Sequence, residues 1–350
     1  MEIADTDPAD GINNTLETAI GGGRLGSLET VRGMASRYND AINFWGDPGQ
    51  NNWFWGNRSE ILVAVNGDYF GSIDTPQNGM VQAGWYAKRF RDLEGGSGLV
   101  WNMNRQVFID DCIKHDPLKQ TVKFLDNDNT LLFEEKFTGI NTIIDDNRIP
   151  KELVLYTPQF GMRTPARADG IEFVVQLQRP LLIIPPSSNS VVGQIIEIRD
   201  QVGSTLIPFD AVVISVEADL REELLPPAVQ VGDIVQINQE VTSLDRNCNT
   251  SSAHPWTKAY ASLGAAMHLL ESGAAYPPNE DTTRAPRTTI AYDSTYIYLI
   301  VVDGRQPGFS IGMTFQELAD FILYAIGAQD AVAQDGGGSS TMVVNGSVVN

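Results

Sequence analysis

Cysteine and histidine are scarce in this chain, with two Cys (Cys112, Cys248) and three His (His115, His254, His268) among 350 residues. Two cysteines so far apart exclude a zinc ribbon or a multi-bridge disulfide framework. They allow one bridge, worth up to about 5 kcal/mol in the chain-entropy model. The histidines lack His-x-x-x-His spacing, which argues against a zinc site. No apolar run reaches the roughly 18 to 20 residues that cross a bilayer, so no membrane span is expected. The first residues, "MEIADTDPADGINN", are acidic and polar and show no signal-peptide pattern. Basic charge is also short, with 24 Lys and Arg against 44 Asp and Glu, a net charge of −20. Such a field repels polyanions, which makes nucleic acid and anionic membranes poor partners. An anionic ligand must then find a local pocket of arginines or backbone N–H groups. After Arg305 there is no Lys or Arg at all.

What is present points to a packed core, since hydrophobic residues reach 42%. Segments rich in Val, Ile, Tyr and Phe and bounded by turn residues predict strands at 60 to 66, 120 to 126, 152 to 157, 171 to 177, 193 to 199, 211 to 216, 232 to 238 and 295 to 302. They do not alternate with helices, which argues against a doubly wound sheet. The expected fold class is α+β, strand-rich mixed sheets with a few packed helices. One large domain is expected over residues 30–350, after an N-terminal extension at 1–29.

One helix is well signalled, over 314 to 326. Thr314 and Glu317 make a capping box, and Phe315, Leu318, Ala319, Ile322, Leu323 and Ile326 fall on one face. Gly327 supplies the left-handed stop. "AVAQ" then reads as a short strand, and Asn345-Gly346 between Val-rich runs as a two-residue hairpin. By propensity "YASLGAAMHLLESG" (260 to 273) reads as helix.

The loop "DGGGSSTM" (335 to 342) therefore joins strand to strand. A phosphate-binding P-loop would need Gly-Lys-Ser/Thr opening a helix, and no lysine is here. A flexible spacer would not be wedged between a capped helix and a hairpin, which leaves a rigid loop built for close approach. Other motifs fall away. Gly21, Gly23 and Gly26 match Gly-x-Gly-x-x-Gly, but no convincing strand precedes them. "GGSGL" (95 to 99) ends in leucine and is no nucleophile elbow. "DNDNTLLFEE" (126 to 135) starts like a calcium loop, yet has Leu131 for the required glycine and Phe137 for the bidentate acid. It reads as a hairpin turn.

Three clusters remain at strand ends: "NGDYF" (66 to 70), "RAPRTTIAYD" (284 to 293) with "VVDGR" (301 to 305), and the glycine loop. Each joins acids, amides or arginines to glycine where rigid scaffolds commonly carry sites. Each also fits ordinary turn chemistry.

Together they resemble the phosphodiester glycosidase family. The resemblance is carried by Asn66, Gly67, Asp68, Tyr69 and Phe70, then Asn147, Arg148, "LVLYTPQFGMRT" and Glu172, and further by Arg287, Thr288, Asp303, Gly304, Arg305, Ser310, the 314 to 326 helix and Asp335 to Ser339. In that family the 260 to 273 stretch aligns with loop and strand. The resemblance implies a substrate in which a sugar is joined through its anomeric carbon to a phosphodiester. It implies Arg287 and Arg305 for the phosphate, assisted by the N–H groups of Gly336, Gly337 and Gly338 and by Ser339. Asp303 and Asp335 become candidates for nucleophile or base, and Asn66 and Asp68 for orienting sugar hydroxyls. Gly67, Thr288 and Ser310 complete the expected binding set. No cofactor is implied, although a divalent cation such as calcium is left open. The expected location is extracellular or at the cell surface. The rival expectation is a non-catalytic surface protein that keeps the fold to bind glycans or to assemble.

Overall fold

Short runs rich in Val, Ile, Leu and aromatic residues form the strands that make up about half of this molecule. The computed structural model describes residues 2–4, 15–16, 18–23, 25–43, 60–71, 76–82, 85–88, 96–102, 106–142, 152–165, 170–178, 191–201, 203–224, 228–243, 254, 259–265, 267–276 and 282–350. Asn147, Arg148, Cys248 and the side chains of Cys112 and His115 lie outside the described residues. Strand outweighs helix by 48% to 13%, so the fold is mostly β. The expectation of strand-rich mixed sheets with few helices holds, while the α+β label fits only loosely.

The described strands form three sheets of five, twelve and five strands. In the largest, the interior strands Ile171–Leu177 and Ala211–Val216 run antiparallel and are buried almost throughout. Val122, Phe124, Phe173, Val212, Ile214 and Val235 form its core. At about 1.5–3 kcal/mol for each large apolar side chain buried, this layer dominates stability.

The two smaller sheets position the site. In one, Glu60–Val65 pairs antiparallel with Met342–Val344, with Val65 opposite Met342. In the other, Arg287–Tyr292 lies between Ile297–Val302 and Asp330–Ala333, all antiparallel. The capped helix Phe315–Phe321 packs Phe315, Leu318 and Ala319 on that sheet against Leu270, Ala291 and Ala331. Its capping box is formed, with Glu317 N–H donating to Thr314 Oγ1 at 3.1 Å and Thr314 N–H to Glu317 Oε2 at 3.0 Å. A wider turn over Ile322–Ile326 continues it, and Gly327 ends it at φ 83°. The Asn345-Gly346 turn has φ of 46° and 75°, the double left-handed geometry of a tight hairpin.

One propensity reading is corrected. The 260 to 273 stretch is not helical but falls in the strands Ala259–Ala265 and Met267–Glu271. Both strands are mostly buried against the sheets' cores, which outweighs the helix preference of Ala and Leu. Gly264 has a packing reason, because a Cβ there would stand 2.1 Å from Asn78 Cβ and 2.9 Å from Asp68 Oδ2.

Candidate functional site

The glycine loop is the crossing between the two smaller sheets. Gln334 N–H continues the ladder by donating to Thr288 O at 2.9 Å, and Asp335 N–H then donates to Gly67 O at 3.1 Å. By the Met342–Val344 strand the chain has entered the other sheet. The ends of Glu60–Val65, Arg287–Tyr292 and Asp330–Ala333 therefore meet at one place, although residues 66 and 335 are 269 positions apart.

Asn66 ties this meeting point. Its Nδ2 donates to Asp335 O at 2.7 Å, while its Oδ1 accepts from Thr288 Oγ1 at 2.7 Å and Thr341 N–H at 3.0 Å. Both ends of this buried amide are spent within the protein. The expectation that Asn66 orients sugar hydroxyls is revised, since it and Thr288 hold three chain segments together.

Asp68 is likewise engaged. Its carboxylate accepts from Tyr69 N–H at 2.8 Å, Asn78 N–H at 2.8 Å and Asn78 Nδ2 at 3.1 Å, closing the 68 to 78 loop. Burial pushes its carboxyl above the ordinary carboxylate range, partly offset by those hydrogen bonds and by Lys88. Ser310 donates to Asp303 O at 2.6 Å and accepts from Gly312 N–H at 3.3 Å, which shapes the loop carrying Arg305 rather than facing outward.

The two arginines part company. Arg287 is 7% exposed; its Nε donates to Met313 O at 3.1 Å, its Nη2 to Thr283 O at 2.7 Å, and its Cζ lies 3.7 Å from the Phe315 ring centroid. This guanidinium is part of the scaffold, which revises its expected phosphate role. Arg305 is exposed and makes no hydrogen bond or ion pair with another described residue. It sits at φ 59°, an uncommon left-handed conformation for a residue with a side chain. Its Nη2 and Nη1 come within 3.2 and 3.3 Å of where a Cβ on Gly337 would stand. Gly337 itself is at φ 64°, so both its backbone and the overlying guanidinium demand glycine.

The expected cradle of three glycine N–H groups is smaller in fact. Gly337 N–H donates to Pro286 O at 2.9 Å, and Ser339 N–H to Gly336 O at 3.3 Å. The N–H groups of Gly336 and Gly338 have no partner among the described residues, and nothing lies within 4 Å of a Cβ built on Gly338.

Asp335 is the decisive residue. It is 9% exposed, and its carboxylate accepts no hydrogen bond from the described residues. An ionised group this buried is normally paired, because desolvation is costly. It lines a cavity of about 560 Å³ together with Gly67, Asp68, Gly338 and Ser339. Asp303, the other candidate, receives a long contact of 3.4 Å from Asn350 Nδ2. No group of three or more His, Cys, Asp or Glu placed to hold a metal occurs among the described residues. Sequence reasoning missed Thr341, whose N–H anchors Asn66, and the cavity wall from helix Val31–Asn43. Nothing in the sequence linked that helix to the glycine loop.

The sequence that builds much of this site has a match. Residues 198–350 match the phosphodiester glycosidase family. The resemblance seen in the sequence is thereby confirmed for the part holding Arg287, Asp303, Arg305 and the glycine loop; Asn66 to Phe70 lie upstream of it. No curated protein matches the chain. Among solved structures, a Burkholderia pseudomallei protein named as exported is similar over 96% of this chain and 68% of its own, at TM-score 0.55 and 18% identity. A hypothetical protein from Synechocystis is similar over 83% of this chain at TM-score 0.50 and 18% identity. The present chain spans about half of that protein, 48%. The zebrafish N-acetylglucosamine-1-phosphodiester alpha-N-acetylglucosaminidase catalytic domain aligns over 83% of this chain and 80% of its own at 12% identity. Its TM-score of 0.24 is too low to support a structural argument. At these identities the first two likenesses establish the fold alone.

Proposed function

We propose that this protein is a hydrolase that cleaves a sugar from an α-glycosyl phosphodiester. The observation that carries the reading is the unpartnered, nearly buried Asp335 carboxylate beside two unused backbone N–H groups and an unpaired arginine. Such a set suits a substrate with an anionic phosphate next to a carbon that becomes electron-poor. The phosphate falls to Arg305 with the N–H groups of Gly336 and Gly338, assisted by Ser339. If the bond from the anomeric carbon to oxygen breaks, the leaving group is a phosphate monoester, already a stable anion. It needs little help from a general acid, unlike the alkoxide that leaves an ordinary glycoside. Asp335 then acts as nucleophile toward the anomeric carbon or as base toward the attacking water, with Asp303 the second candidate. The family match supports a carbohydrate phosphodiester substrate, and the name of the Burkholderia pseudomallei protein supports an extracellular or cell-surface location.

Asp335→Asn tests the reading. Turnover of a nitrophenyl or nucleotide-sugar phosphodiester should fall at least about a hundredfold, with the melting temperature kept. Near-normal turnover in a folded variant removes Asp335 from the chemistry and promotes Asp303. A protein that only binds glycans would show no turnover even before substitution.

A further inference from the structure

The cavity beside Asp335 is two-sided. At its polar end stand Asp335, Asp68, Gly338 and Ser339; its remaining wall is led by Leu28, Val31, Met34, Phe70, Met80 and Leu263. Ser27, Glu29, Thr30 and Arg32 lie between them, of which Glu29 is engaged by Arg37 and Gly22 N–H and Thr30 by Gly33 N–H. Leu28, Val31 and Met34 come from the start of the Val31–Asn43 helix and the turn before it, Phe70 from the loop after Glu60–Val65, and Leu263 from the large sheet. These six side chains offer neither donor nor acceptor. A sugar buried against them would leave its hydroxyls unpaired, at a cost that sugar-binding sites avoid. The hydroxyl-bearing part of a substrate therefore belongs at the Asp335 end. The wall complements an occupant that is apolar where the sugar is not.

We propose that this cavity is the subsite for an apolar aglycone, so that the substrate class is the α-glycosyl phosphodiester of an alkyl, prenyl or similarly apolar alcohol. This rests on the phosphodiester reading above and names its substrate. Phosphate at the Gly338 edge of the cavity lets one ester arm reach the Asp335 carboxylate and the other run along the apolar wall. In the balanced reaction, water's oxygen joins the anomeric carbon and the bond from that carbon to phosphate oxygen breaks. One water proton stays on the sugar hydroxyl, and the other goes to the released alkyl phosphate monoester. The cavity volume of about 560 Å³ lies within the range of small-molecule sites, which are mostly apolar with a few placed polar groups.

The test compares octyl phosphate with methyl phosphate by titration calorimetry, on the intact protein and on a Leu28→Ser/Phe70→Ser double variant. Both positions are largely exposed, at 60% and 50%, so the substitutions leave folding intact. Octyl phosphate should bind at least about tenfold more tightly than methyl phosphate, given the gain per buried methylene. The double variant should lose most of that preference. Equal affinities, or a preference that survives the double substitution, overturn the proposal. A lost preference in the variant, combined with no turnover of any glycosyl phosphodiester by the intact protein, supports the apolar subsite and overturns the catalytic reading instead.

Discussion

The two flanks of the glycine loop each carry an arginine among their polar groups and use those groups in opposite ways. On one flank Asn66, Thr288 and Arg287 spend their polar atoms on the protein, bonding carbonyls, amides and each other. On the other, the Asp335 carboxylate, the Arg305 guanidinium and the N–H groups of Gly336 and Gly338 bond no described residue. Satisfied buried polar groups rigidify a site, and unsatisfied ones mark where a ligand supplies the missing partner. The first flank is the frame and the second the working surface. Substitutions on the two should fail differently.

The largest effect is expected on the frame. Asn66→Leu strands Thr341 N–H, Asp335 O and the Thr288 hydroxyl at once, so urea unfolding should show a loss of about 3 to 5 kcal/mol. A variant of unchanged stability that merely binds ligand poorly would move Asn66 to the working surface.

The arginine pair gives the sharpest contrast. Arg305→Ala should raise KM for a phosphodiester at least about tenfold, leave a neutral glycoside nearly unaffected and barely move the melting temperature. Arg287→Ala should cost about 2 to 3 kcal/mol of stability, because Met313 O and Thr283 O lose a charged donor, and should affect both substrates alike. The reverse pattern would exchange the two assignments.

The smallest effect comes from a control away from both flanks. Tyr292 lies at the far end of the Arg287–Tyr292 strand, about 17 Å from Arg287 at the usual rise per residue. There His254 Nδ1 lies 2.7 Å from Asp110 Oδ1, and the ring stacks on Phe108 at 4.5 Å. The hydrogen bond to Asp110 raises its pKa, burial opposes this, and the charges of Asp110 and Asp330 add to the rise. A raised histidine pKa gives stability that is full below the unfolded value of about 6.5 and is lost as pH rises through the folded value. The melting temperature should therefore decline as pH rises above about 6.5, and His254→Gln should flatten that slope without changing turnover. An unchanged slope would mean that the pair adds nothing to stability.

How much of this was legible beforehand depended on the range of the interaction. The capped helix, the Asn345-Gly346 hairpin and the 126 to 135 turn are written in local residue patterns, and each forms as read. The clustering of "NGDYF" with "DGGGSS" was also accessible, through the family resemblance, and Asn66 touches Asp335. Propensity failed at 260 to 273, where burial between layers decided the outcome. Sequence also could not separate Arg287 from Arg305, because both stand at a strand end in the same cluster. Their difference lies in Phe315, Met313 and Thr283, contacts that close around one guanidinium and not the other.

The most direct measurement is a crystal structure of the protein with a sugar-1-phosphate bound. The account predicts phosphate oxygens within hydrogen-bond distance of the Arg305 guanidinium and of the Gly336 and Gly338 N–H groups, with the anomeric carbon facing Asp335. Phosphate held by Arg287, or a sugar seated with Asp335 unengaged, would contradict it.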